Sequence, residues 1–74
     1  MDSSTNWIKL NNKIKSLRRE RGLTQEQMAE LLKISASHYK KIEAPNVNKN
    51  FTLDIIFRIS EVLDVELIDI FNFN

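Results

Sequence analysis

Trp7, Leu10, Ile14 and Leu17 recur at steps of three, four and three, the spacing of one helix face, while Lys9, Lys13, Lys15, Arg19 and Arg21 occupy the other faces. The pattern predicts a first helix from about Trp7 to Arg21, behind a polar, flexible tail over residues 1–6. Gly22 supplies the left-handed residue that ends helices, and Arg18, Arg19 and Arg21 sit in the last turn, against the negative end of the dipole. Thr24 followed by Gln27 is a capping box, with Leu23 placed to staple onto Met28, so a second helix starts at Gln25 and runs to Lys33. Its expected buried stripe is Met28, Leu31 and Leu32 with Ala29 between, and Glu26, Gln27, Glu30 and Lys33 are expected outside. Ser35 caps a third helix over Ala36 to Glu43, with Tyr39 and Ile42 inward and Ser37, Lys40, Lys41 and Ala44 outward. Pro45 and three Asn between residues 44 and 50 read as a loop. Thr52 then caps a fourth helix, with Asp54 in its positive first turn and Leu53, Ile56, Phe57, Ile59, Ser60 and Leu63 expected to face the core. A short fifth helix covers Glu66 to about Phe71.

Composition narrows what five helices can be. A chain of 74 residues with one Gly, one Pro and no Cys is expected to be a single all-α domain over 1–74, held by side-chain packing without disulfide or cysteine-zinc staples. No glycine-rich phosphate loop exists, and the one histidine, His38, cannot assemble a metal site alone; it is expected at the surface of the third helix. No nucleophile motif is present, so no enzyme activity, cofactor or catalytic residue is expected. The longest apolar run is three residues, 55 to 57, and the N-terminus is polar, so neither a membrane span nor a secretory signal is read and the cytoplasm is the expected location.

The net charge of +1 hides a division. Residues 1–49 hold ten of the eleven Lys and Arg against five acids, a balance of +5, whereas residues 50–74 hold Arg58 against five acids, a balance of −4. The basic part calls for a polyanion such as nucleic acid; the acidic part reads as a solvated or self-associating end.

Two short helices meeting at a tight turn have the dimensions of a helix-turn-helix. The run Lys13-Ile-Lys-Ser-Leu-Arg-Arg-Glu-Arg-Gly-Leu-Thr-Gln-Glu-Gln-Met-Ala-Glu-Leu-Leu32, then Ile34-Ser35 and Lys41-Ile42-Glu43, closely resembles the Xre family, whose relatives include phage repressors and Cro proteins. The resemblance covers about residues 10 to 71 and implies a five-helix, lambda-repressor-like DNA-binding domain with the helix-turn-helix at helices 2 and 3. It implies that Gln25 grips a DNA phosphate together with the N-terminal N–H groups of its helix. It places base reading on Ala36, Ser37 and Lys41 of the recognition helix, and makes Arg18 and Glu43 a structural ion pair tying helix 1 to the end of helix 3. Ser35 and Lys40, and by their chemistry alone Asn46, Asn48 and Lys49 of the loop, are further phosphate candidates. Lysine can donate to guanine and the alanine methyl can touch thymine, but none of these readers makes a planar bidentate contact, so part of any specificity is expected from DNA shape or water bridges.

Three positions depart from the family pattern. Lys33 stands where the turn usually has Gly, Tyr39 stands at a usually aliphatic core position, and the loop from Ala44 to Phe51 is a couple of residues longer than the family's and lacks its common Gly. The buried hydroxyl of Tyr39 is expected to meet water, a backbone group or a phosphate. The resemblance implies a transcriptional regulator, a repressor or autoregulator, bound to double-stranded DNA as a homodimer. The expected seam is the acidic C-terminal end, where Leu67, Ile68, Phe71 and Phe73 exceed what so short a helix can bury, joined by Ile55 on the outer side of helix 4. With no effector domain in the chain, regulation is expected through dimerisation, operator arrangement, proteolysis or a protein antagonist. The competing reading is a protein-interaction module of the same fold, antirepressor- or antitoxin-like, that binds no operator.

Overall fold

A computed structural model describes residues 3–45 and 52–73, with side chains from Thr5 onward. The described residues form α1 (Ser3–Glu20), α2 (Gln25–Leu32), α3 (Ala36–Glu43), α4 (Leu53–Leu63) and α5 (Leu67–Phe71), and no strand. Helix α2 packs on α3 and α4, α1 on α3 and α5, and α4 on α5. One core results, in which Ile14, Met28, Tyr39, Ile42, Ile59, Leu63 and Ile70 are fully buried.

The caps read from sequence are formed. Thr24 Oγ1 accepts from Gln27 N at 3.0 Å while Thr24 N donates to Gln27 Oε1 at 2.9 Å; Ser35 Oγ accepts from His38 N at 3.1 Å, and Thr52 Oγ1 from Ile55 N at 3.2 Å. Helix α1 begins at Ser3 instead of about Trp7, so residues 3–6, expected as tail, are helical. A polar first turn adds nothing to the hydrophobic period, yet once a helix is nucleated each added residue gains a hydrogen bond, and the helix runs on through it.

Helices α1, α2 and α4 end alike. Gly22 (φ 69°), Lys33 (φ 61°) and Asp64 (φ 53°) each adopt the left-handed conformation, and the next N–H reaches back five residues: Leu23 N to Arg18 O, Ile34 N to Ala29 O, Val65 N to Ser60 O. Leu23, Ile34 and Val65 then fold against the core, the apolar contact that accompanies this type of helix end. Lys33 thus takes the turn with the same geometry that glycine gives. A left-handed non-glycine residue costs about 1 kcal/mol, offset in part by the lower unfolded-state entropy of lysine. Lys33→Gly is therefore expected to raise the melting temperature by about 2–5 °C in thermal unfolding; a lower value would show that the lysine conformation is not strained here.

Two expected faces are corrected. Leu31 is 52% exposed, leaving Met28, Ala29 and Leu32 as the buried stripe of α2. On α4 the buried row is Ile55, Ile59 and Leu63, at steps of four, while Leu53 and Phe57 point to solvent. Ile55 is 7% exposed within the single chain, so it belongs to the core and not to an outer seam. Helix α4 carries apolar residues around most of its circumference, and its orientation is set by the α2 and α5 surfaces it meets instead of by its own period.

Candidate nucleic-acid interface

Helix α3 is eight residues long, too short to hold itself, and its position comes from packing Tyr39 and Ile42 into the core against α2 and from polar ties to α1. Arg18 Nε donates to Glu43 Oε2 at 2.6 Å and Nη2 to Glu43 Oε1 at 3.1 Å, a two-pronged ion pair whose side chains are almost wholly buried. Arg18 Nη1 donates to Leu23 O at 2.6 Å, extending the tie to the turn before α2. Seven residues earlier on the same face of α1, fully buried Asn11 donates from Nδ2 to Ala44 O at 2.7 Å, just past the end of α3. Sequence reasoning missed Asn11; its signal is its place four residues after Trp7 and three before Ile14, inside the buried stripe.

Glu43 gathers two more donors. The Tyr39 hydroxyl donates to Oε2, and Gln25 Nε2 donates to Oε1 at 3.1 Å. The Tyr39 hydroxyl thus meets a carboxylate, not the water, backbone group or phosphate expected of it. Burial pushes the Glu43 carboxyl up, but the hydrogen bonds from Arg18, Tyr39 and Gln25 outweigh it and hold the group below its ordinary value. The hydrogen bond to Glu43 raises Arg18, and burial, with the carboxylate alongside, pushes the Tyr39 phenol well above its usual range, so the site holds one anion, one cation and a neutral phenol.

Opposite these ties, Ser37, Lys40 and Lys41 are exposed on α3. Ala36 is half-buried and packs against the core, so its methyl is only partly on the outer face. Lys40 Nζ lies 3.3 Å from Glu26 Oε2 across the α2–α3 turn. Glu26, at the start of α2, is held below its ordinary value by its own backbone N–H and by Lys40. Ser35 Oγ, besides capping α3, is 3.5 Å from Ser37 Oγ. Gln25 is half-buried at the first position of α2, its amide turned toward Glu43. His38 is half-buried rather than at the surface, and its buried Nε2 has no hydrogen-bond partner among the described residues; it stands one turn before Ile42, on the flank of the buried stripe. Asn46, Asn48 and Lys49 lie outside the described residues.

On α5, Ile68 is 75% exposed, and Leu67 and Phe71 are also exposed, around the single buried residue Ile70. Phe73 is half-buried. With Trp7, Leu10, Ile56 and Phe71 it lines an open apolar cleft of about 400 Å³, with Asn6 at its edge. Among the described residues no helix is long and apolar enough to cross a membrane.

The comparisons with known proteins agree with this geometry. No curated protein matches. A solved structure, the restriction-modification controller protein C.AhdI from Aeromonas hydrophila, superposes with a TM-score of 0.81 at 27% identity, covering 90% of this chain and 98% of that one. The Helix-turn-helix family pattern matches residues 14–70, from the middle of α1 through Ile70. The chain belongs to the helix-turn-helix family, of the Xre-like kind, and is a DNA-binding transcriptional regulator.

Proposed function

We propose that the protein binds a specific double-stranded DNA site as a homodimer, with α3 in the major groove, and represses or autoregulates transcription. The observation that carries this reading is the anchoring of α3: the Arg18–Glu43 pair fixes its inner side while Ser37 and Lys41 stand outside on the other. A recognition helix must present base-reading groups from a fixed register, and this one is held from behind by charge-assisted hydrogen bonds. Ala36, Ser37 and Lys41 read bases in this arrangement. Gln25, Ser35 and Lys40, with Asn46, Asn48 and Lys49 of the loop, contact phosphates. The likeness to a controller protein supports the regulatory role.

Selection of bound sequences from a random DNA pool defines the site, and titrations across a salt series then separate readers from grippers. Lys41→Ala should cost about 1–3 kcal/mol on the selected site and relax one base-pair position per half-site. Lys49→Ala should weaken selected and scrambled duplexes alike and reduce the salt slope of log K by about one. If Lys41→Ala weakens both duplexes equally while Lys49→Ala shifts base preference, α3 is not the reading element. A parent protein that binds neither duplex at low salt would return the fold to a protein-interaction role.

A further inference from the structure

Glu26 puts a negative charge among the groups assigned to phosphate. Gln25 opens α2 and Glu26 follows it, so the backbone N–H groups of both lack a partner inside the helix. The side-chain cap of Thr24 goes to Gln27 N and leaves these two aside. On α3, Lys40 stands three residues from exposed Ser37 and three from buried Glu43, on the edge between the outer face and the core. Gln25 reaches that same edge from α2 through its bond to Glu43. Outward N–H groups at a helix start with a cation beside them suit an anion. The anion there in the free protein is the Glu26 carboxylate, which accepts from its own N–H and lies, through Oε2, 3.3 Å from Lys40 Nζ.

We propose that Glu26 is an internal competitor for the DNA phosphate: its carboxylate holds Lys40 at the start of α2 and must release it when DNA binds. Both side chains are more than half exposed, so the pair is a weak one that a phosphate can displace. Displacement still has a cost, because the ion pair is broken and a second anion is left close to the phosphate. Glu26 thereby lowers affinity for the DNA backbone while leaving the exposed Ser37 and Lys41 unencumbered by it, so it tunes how tightly the protein binds and not which bases it prefers. The proposal rests on the DNA-binding reading above, with Lys40 as a phosphate contact.

The test compares Glu26→Gln, Lys40→Ala and the double variant on the selected and scrambled duplexes across a salt series. Glu26→Gln should strengthen both duplexes alike, by about two- to ten-fold at low salt, and steepen the salt slope of log K by about one, since Lys40 then meets a phosphate with no carboxylate of its own beside it. Lys40→Ala should cost about two- to five-fold more in the Glu26→Gln background than in the parent. Glu61→Gln removes the same charge from the exposed side of α4 and should have a smaller effect. Equal gains from Glu26→Gln and Glu61→Gln would reduce the effect to net charge and overturn the proposal. Additive effects of Glu26→Gln and Lys40→Ala, or a Glu26→Gln variant that binds no more tightly than the parent, would overturn it too. A readout without DNA is the Glu26 carboxyl carbon followed against pH in the free protein. It should titrate below the ordinary carboxylate value in the parent and nearer to that value in Lys40→Ala; a titration indifferent to Lys40→Ala overturns the pair. A parent that shows this shift yet binds neither duplex places the failure in the DNA-binding reading instead.

Discussion

Glu43→Ala is expected to destabilise the protein by about 3–5 kcal/mol, the cost of leaving a buried charge without its partner. The cavity itself is a minor part of the loss. Arg18 would keep only Leu23 O, and the Tyr39 hydroxyl would lose its acceptor in the core. A domain of this size has a total stability on the order of 4–11 kcal/mol, so the melting temperature should fall by roughly 15–30 °C, measured by circular dichroism. A shift of one or two degrees would mean that the pair is ornamental and that α3 is held by Tyr39 and Ile42 packing and the Asn11–Ala44 hydrogen bond. A triple variant, Arg18→Met, Tyr39→Phe and Glu43→Leu, removes both charges and the phenol together, leaving the Leu23 carbonyl and the half-buried Gln25 amide to find water, and should recover much of the loss, because an apolar replacement avoids the desolvation of the ions.

The same carboxylate sets an acid limit. The folded state holds Glu43 below its unfolded value, so its contribution is fully present above about pH 4.5 and is lost as pH falls through the folded-state value. Parent protein should therefore lose stability with a steeper slope below about pH 4.5 than Glu43→Gln, which has no proton to take up there.

How much of this was legible in the sequence depends on the range of the interaction. Caps act over three residues, and Thr24, Ser35 and Thr52 each make the bond that their position promises. Left-handed ends are also local, but Gly22 is the one whose residue type announces it; Lys33 and Asp64 reveal themselves by the apolar residues that follow, Ile34 and Val65. Orientation was legible for α1, where polar and apolar residues alternate by turns. It was not for α4, where Ile55 and Phe57 look alike to a periodicity argument and exchange places in the structure. The network around Glu43 joins residues 18 and 25 positions apart. Family likeness named the Arg18–Glu43 pair, but neither period nor spacing shows that Gln25 and Tyr39 converge on the same carboxylate. Asn11 was hidden for a different reason: a polar residue in a buried stripe reads as an interruption until its partner, the carbonyl of Ala44, is in view.

Ile68→Asp is expected to abolish the proposed dimer and lower affinity for a two-half-site duplex by about 100-fold or more, because linking two recognition helices adds an effective-concentration term worth on the order of 10²–10⁴. The fold should survive. Ile68 is three-quarters exposed while its neighbour Ile70 is wholly buried, so the substitution touches the surface of α5 and leaves its anchor in place; Ile55→Asp, by contrast, should unfold the chain. Association at this end brings together two segments that each carry a balance of −4 over residues 50–74. Like charges on facing copies are screened by salt, so self-association measured by sedimentation should strengthen between low and moderate ionic strength while DNA binding weakens. An interface made of Leu67, Ile68 and Phe71 gains from this because its apolar contacts are indifferent to screening at such concentrations. The added aspartate places two more charges at the seam and removes the apolar contact together. On a duplex holding one half-site, Ile68→Asp and parent should bind equally, since each then uses a single α3. A variant that sediments as the parent does, or that loses affinity for the single half-site as well, would put the dimer seam elsewhere, with the exposed Leu53 and Phe57 of α4 the next surface to test.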